Sequence, residues 1–180
     1  MPLKQTLDFE KPVSLVNAPQ TPQITLVPFT AQAAQHLGPL AAAIDPWKRY
    51  QVSSDNMTAL LAKSEAGAPR YSISANGQHI GGICIRLNWL RGPFLQTLFV
   101  LPDAQGQGIG TQILKWFEAA AAYDGARQVW ITVSSFNEPA RRFYDRQGYE
   151  TLAALPDLIA DGFDELLLRK KLSARKAPSR

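Results

Sequence analysis

With 180 residues, 46% of them hydrophobic, the chain is nearer one globular domain than two, and no apolar run approaches the roughly 18 residues of a membrane span. The single cysteine, Cys84, excludes an intramolecular disulfide, and with only His36 and His79 beside it no metal site is expected. The net charge of +4 is local, because Arg169, Lys170, Lys171, Arg175, Lys176 and Arg180 fall in the last twelve positions without interleaved aromatics; a solvated tail is expected there, not a nucleic-acid-binding arm.

Taken in order, residues 1–22 form an extended arm marked by Pro2, Pro12, Pro19 and Pro22, available to pack on the body or on a second subunit, which leaves a homodimer open. Acids and prolines interrupt MPLKQTLDFEKPVSLVN where a signal peptide would be continuously apolar, so the cytoplasm is the expected location. The domain proper spans 23–171. A short strand covers 24–27, Thr30 caps a helix to about Ala43, and Ser53 or Ser54 caps a second helix to about Ala66. Residues 70–75 and 79–87 read as a hairpin around Asn76-Gly77, with Cys84 a small hydrophobe in the apolar run GGICIRL. Strands at 94–101, 128–133, 149–152 and 163–169 alternate with helices opening near Gly108 and at Asn137, and 172–180 is a basic tail.

From residue 98 to 121 an apolar strand passes into an amphipathic helix through a glycine-dense loop. Gly106, Gly108 and Gly110 fall within five residues, and lacking Cβ atoms they let main-chain amides crowd around a bulky anion. The helix, with Ile109, Ile113, Leu114, Trp116, Phe117, Ala120 and Ala121 on one face, aims its unpaired N-terminal N–H groups at that anion. The segment reads as a phosphate cradle. A nucleotide-hydrolase P-loop is disfavoured because Thr111 and Gln112, not Lys and Ser/Thr, follow Gly110. A dinucleotide fingerprint is disfavoured too: the third glycine falls one place early, residues 101–105 separate the loop from its strand, and the next strand runs into Ser134 and Ser135 with no closing acid.

Gln105-x-x-Gly108-x-Gly110 after Val100-x-Pro102 resembles motif A of the GCN5-related N-acetyltransferases, which wraps the pyrophosphate of coenzyme A. Downstream, Asn137, Ala140 and Tyr144 in SSFNEPARRFYDRQGYE match that family's N-x-x-A-x-x-x-Y, followed by Gly148-Tyr149. The resemblance covers residues 70–171 by motif and the first 69 by element order. It implies an α/β GNAT-like fold, a central mixed β-sheet with helices on both faces, whose parallel strands 94–101 and 128–133 splay apart. The cofactor implied is acetyl-CoA, as co-substrate, held by Leu98, Phe99, Val100, Gln105, Gly106, Gln107, Gly108, Ile109, Gly110, Thr111, Asn137 and Ala140. In that likeness main-chain groups of Leu98 and Val100 stay free to bond the pantetheine arm as an added strand would. Tyr144 takes the role of acid for the departing thiolate, and a strand amide near Val100 that of oxyanion donor. Helix capping alone would equally explain Asn137.

The base has no assignment. Relatives often carry a glutamate on the strand before motif A, where this chain has Gln96, which accepts no proton at neutral pH; Asp45, Asp164 or Glu165 could serve through water. The branch that acetylates protein N-termini tends to carry a Glu where Thr132 stands. The acceptor pocket implied is lined by Trp47, Arg49, Tyr50, Trp89 and Arg91, aromatics with arginine that suit a partly apolar, partly anionic ligand. The expectation is acetyl transfer to a small-molecule primary amine in a ternary complex. The alternatives are a coenzyme A sensor that has lost turnover, and an acetyltransferase of protein lysines or N-termini.

Overall fold

Eight strands pair in one mixed sheet, in the order β1-β2-β3-β4-β5-β6-β8-β7, in a computed structural model that describes residues 12–15 and 22–172. The strands are β1 (Val13–Ser14), β2 (Ile24–Pro28), β3 (Arg70–Ala75), β4 (Gln78–Trp89), β5 (Gly92–Val100), β6 (Gln128–Ser134), β7 (Glu150–Leu155) and β8 (Glu165–Lys171). The helices are α1 (Ala31–Ala42), α2 (Ser54–Ala62), α3 (Ile109–Tyr123) and α4 (Glu138–Arg146). All neighbours run antiparallel except β5 and β6.

Local chemistry sets these elements. Thr30 Oγ1 accepts from the Ala33 N–H at 3.1 Å and Ser53 Oγ from the Asn56 N–H at 3.1 Å, so both expected caps hold. The second helix stops at Ala62, four residues before the expected end, because Lys63 turns to extended backbone and its carbonyl accepts from Arg70 Nη1 at 3.0 Å. Asn76 and Gly77 both adopt left-handed φ in the β3–β4 turn, as their residue types permit. The next turn uses Leu90 and Arg91 in the same region, at φ 35° and 62°, which their side chains disfavour. Gln128 Nε2 and Trp130 Nε1 each donate to the Leu90 carbonyl at 3.2 Å and hold it.

Two cores flank the sheet. On one face Ile113, Leu114 and Phe117 of α3 and Tyr144 of α4 pack on Ile73, Ile83, Leu95 and Ile131. On the other, Leu37 and Ala41 of α1 and Met57 and Leu61 of α2 pack on Cys84 and Phe99. A Cβ at Gly38 would sit 2.0 Å from Thr58 Oγ1, so this glycine lets α1 and α2 approach closely and fixes the loop between them. Cys84 is fully buried and its thiol is pushed up to about 12 by burial, which suits a packing role.

The expected boundaries shift at both ends. The sheet reaches back into the arm, since Val13 and Ser14 pair with β2 and Leu15 is buried. At the other end Arg169 and Lys170 belong to β8 and pair with Glu150 and Glu118, at 3.5 and 2.6 Å, and the Leu172 N–H donates to the Arg127 carbonyl. The remaining basic tail, 173–180, lies outside the described residues, as do 1–11 and 16–21. Among the described residues no helix is long and apolar enough to cross a membrane.

Candidate active site

A β-bulge opens the site. Cys84 pairs with Thr97 and Ile85 with Leu95, so Gln96 is an extra residue on β5, and such a residue bends its strand and re-aims the side chains beyond it. Parallel pairing with β6 is confined to Phe94 with Trp130 and Leu95 with Ile131, stopping just before Gln96. From there β5 and β6 diverge. Leu101 N donates to the Ile80 carbonyl, so by alternation Phe99 and Thr97 address β4 while the main-chain groups of Leu98 and Val100 face the split. Not all of them are free: Gln105 Nε2 donates to the Val100 carbonyl at 2.8 Å, which leaves the N–H of Val100 and both groups of Leu98 turned to the opening.

A cleft of about 1150 Å³ lies over the mouth of this split. Gly106 and Gly108 take left-handed φ of 76° and 74°, and Gly108 is the N-cap of α3 with no side chain closing the first turn. The amides of that turn therefore address the cleft, which Gln105, Gly106, Gly108, Ile109, Gly110 and Thr111 line. Across it stand Asn137, Ala140 and Tyr144 from α4, Leu98, Phe99 and Val100 from β5, and Trp47 and Arg49 from the α1–α2 loop. Asn137 Oδ1 accepts from the Ala140 N–H at 3.3 Å, so it caps α4 as well as lining the cleft. Lys48 and Arg146 also line it, adding to Arg49 two cations that sequence reasoning missed; Arg146, two places after Tyr144, was the legible one.

A second cavity, about 130 Å³, lies in the split itself. Gln96, Leu98, Thr132, Ser134, Tyr144, Tyr50 and Glu165 line it, and Tyr144 is shared with the large cleft. The Tyr144 phenol is buried and carries no hydrogen bond within the described structure; burial raises its pKa, so it stays protonated at neutral pH. Tyr50 stands between Phe136 and Phe163, each ring 5.4 Å away, and its phenol donates to the Glu165 carboxylate. Ser134 Oγ lies 2.8 Å from the Tyr50 phenol oxygen, and since the phenol's one proton goes to Glu165 the serine hydroxyl donates to that oxygen. Burial first, then the bond to Glu165, pushes the Tyr50 phenol up to about 12.

Three sequence-predicted residues lie elsewhere. Trp89 and Arg91 sit at the β4–β5 turn, at the opposite end of β5 from Val100, where Trp89 packs on Phe94 and Trp130 at 4.7 and 5.5 Å. Neither lines the cleft or the cavity, because β4 runs on to Trp89 and carries the turn away from the split. Gln107, between two left-handed glycines, turns to another depression beside His36 and His79 and donates to the Asp103 carbonyl at 3.4 Å.

A sheet split by a bulge, an uncapped helix N-terminus at its mouth and a protonated phenol at the junction define an α/β protein shaped for an extended, anion-bearing ligand. The chain belongs to the acetyltransferase (GNAT) family, whose profile matches residues 37–149, and it is an N-acetyltransferase. It is 33% identical to an uncharacterized N-acetyltransferase of Methanocaldococcus jannaschii over 60% of this chain and 69% of that one. It is 35% identical to the aminoalkylphosphonate N-acetyltransferase of Salmonella typhimurium over 42% of this chain, spanning about half, 52%, of the relative. A ribosomal L7/L12 alpha-N-protein acetyltransferase solved in complex with coenzyme A superposes with a TM-score of 0.68 over 91% of this chain and all of its own, at 15% identity. That likeness establishes the fold.

Proposed function

We propose that the protein transfers an acetyl group from acetyl-CoA to the primary amine of a small molecule, by direct attack in a ternary complex. One observation carries the reading: Tyr144 lines both the large cleft and the small cavity, so a thioester reaching down the split and an amine entering from the far side would meet at its phenol. The residues present fit the nucleotide. The uncapped first turn of α3 suits a diphosphate, the cations Lys48, Arg49 and Arg146 line the same cleft, and Leu98 and Val100 offer strand-edge groups to an amide-bearing arm. Acetyl-CoA supplies the acetyl group as an activated thioester.

The chain's own residues do the rest. The Val100 N–H is aimed into the split, where it stabilises charge on the carbonyl oxygen as it develops. Tyr144, protonated by burial, delivers a proton to the departing sulfur. A cavity of about 130 Å³ admits a short primary amine. Two relatives are named for small amines, the aminoalkylphosphonate enzyme and the thialysine N-epsilon-acetyltransferase of Mus musculus, 29% identical over 44% of this chain and 47% of the relative.

A coenzyme A sensor is the second reading, favoured by Gln96, which places no carboxylate on β5. Thiol release from acetyl-CoA over a panel of primary amines, set beside peptides with free lysines and N-termini, tests both. We expect turnover with free amines. Turnover confined to peptides would move the acceptor to protein, and cofactor binding with no thiol release from any acceptor would favour the sensor.

A further inference from the structure

The small cavity contains a buried carboxyl group with no cation beside it. Glu165, the first residue of β8, lies opposite Ser134 of β6 and is only 4% exposed. Its bond partner is the Tyr50 phenol; among the described residues no Lys, Arg or His lines the cavity or pairs with this carboxylate. Burying an ionised carboxylate without a cation is costly, and a single neutral donor offsets only part of that cost. A second acceptor stands in the same cavity: Gln96 Oε1, on the bulge, is buried with no hydrogen-bond partner. Two acceptor groups short of donors, one of them a carboxyl, describe a pocket for a cation with several N–H groups.

We propose that Glu165, held by Tyr50, is the group that binds the acceptor as an alkylammonium and takes its proton, so that the substrate class is a small cationic amine. The proposal rests on the acetyl-transfer reading above and names the base that reading lacks. In the step, the ammonium gives one proton to the Glu165 carboxylate and becomes a nucleophile. Its nitrogen forms a bond to the acyl carbon as the carbon–sulfur bond breaks. Tyr144 gives its proton to the departing sulfur, the second proton lost from nitrogen restores the Tyr144 phenol, and the proton on Glu165 returns to solvent. Tyr50 is a positioning residue: Phe136 and Phe163 fix its ring, and its phenol orients the carboxylate. The titratable groups facing Glu165 are the Tyr50 phenol from the α1–α2 loop and, from α4, Tyr144; β5 and β6 contribute Gln96, Thr132 and Ser134, which do not titrate.

The test has a binding arm and a turnover arm. Propylammonium and its neutral near-isostere propanol are titrated into the full chain, followed by chemical shifts or calorimetry. Propylammonium is expected to bind at least tenfold tighter than propanol, with the preference lost in Glu165→Gln, which keeps an acceptor for Tyr50. Equal affinity for the two probes in the wild type, a result that needs no variant, overturns the proposal. In turnover, Glu165→Gln is expected to lower kcat/KM for the amine about a hundredfold at pH 7, with acetyl-CoA affinity unchanged and the deficit shrinking as pH rises toward the amine's own pKa. Tyr50→Phe is expected to fall between the two. A Glu165→Gln profile parallel to wild type at every pH also overturns the assignment. Charge-selective probe binding that depends on Glu165, without thiol release, sustains the cation site and overturns the transfer reading instead.

Discussion

Tyr144 is the residue on which the proposed chemistry turns. Its phenol is buried, lies between the two cavities and is kept protonated by desolvation, which suits an acid that must hold its proton until a thiolate forms. Tyr144→Phe removes the proton and leaves the ring packing on Phe143 and Tyr149, so the fold is expected to survive. We predict a fall in kcat of about a hundredfold or more at saturating acceptor, with acetyl-CoA affinity retained by calorimetry. Unchanged kcat would remove Tyr144 from the reaction. At this scale the sequence was informative where a motif fixes spacing: Tyr144 and Asn137 stand together in the cleft because both ride on one short helix. It named Glu165 only beside Asp45 and Asp164 and could not choose among them, because the neighbours that single Glu165 out, Tyr50 and Ser134, are 115 and 31 positions away and meet it only through the sheet and the α1–α2 loop.

Among the elements, the bulge in β5 and the segment after α2 matter most. One extra residue at Gln96 both ends the pairing with β6 and leaves an unpartnered amide oxygen in the resulting cavity. Nothing in LQTLFV announces that register shift, because a bulge is a property of two strands and the sequence displays one. The same limit misplaced Trp89 and Arg91: the turn residues Leu90 and Arg91 lack the Asn-Gly chemistry that made the β3–β4 hairpin legible. After α2, Glu65 ties three cations together. Its carboxylate is 2.9 Å from Lys63 Nζ, 2.9 Å from Arg86 Nη1 and 3.7 Å from Arg70 Nη2, and Arg70 is only 6% exposed. The bond from Lys63 first, then that from Arg86, holds the Glu65 carboxyl well below its ordinary 4.5, at about 2. A depressed carboxyl stabilises the folded state fully above its unfolded value, and that stability is lost as pH falls from about 4.5 toward 2. Glu65→Gln is therefore predicted to melt below wild type at pH 7, since Arg70 loses its counter-charge, and to lose less melting temperature between pH 5 and pH 2. Thermal melts across that window check it; an acid sensitivity equal to wild type would show that Glu65 does not carry the effect.

For the whole molecule, the order of elements was readable because each strand and helix carries its own period, and the β5-α3-β6-α4 core follows from two motifs in sequence order. How the layers meet was less readable. Close approach of α1 and α2 at Gly38 aims the loop that brings Trp47, Arg49 and Tyr50 over the split, and neither helix alone reveals it. In the proposed complex the split sheet and the first turn of α3 act together on one extended ligand, with phosphates at the turn and the thioester end at Tyr144. Isothermal calorimetry of the purified chain with acetyl-CoA tests this most directly. We predict saturable one-to-one binding, weakened at least tenfold when S-acetylpantetheine, which keeps the thioester and the amide-bearing arm but lacks the diphosphate, replaces it. Absence of any heat of binding to acetyl-CoA, from protein shown to be folded, would contradict the account.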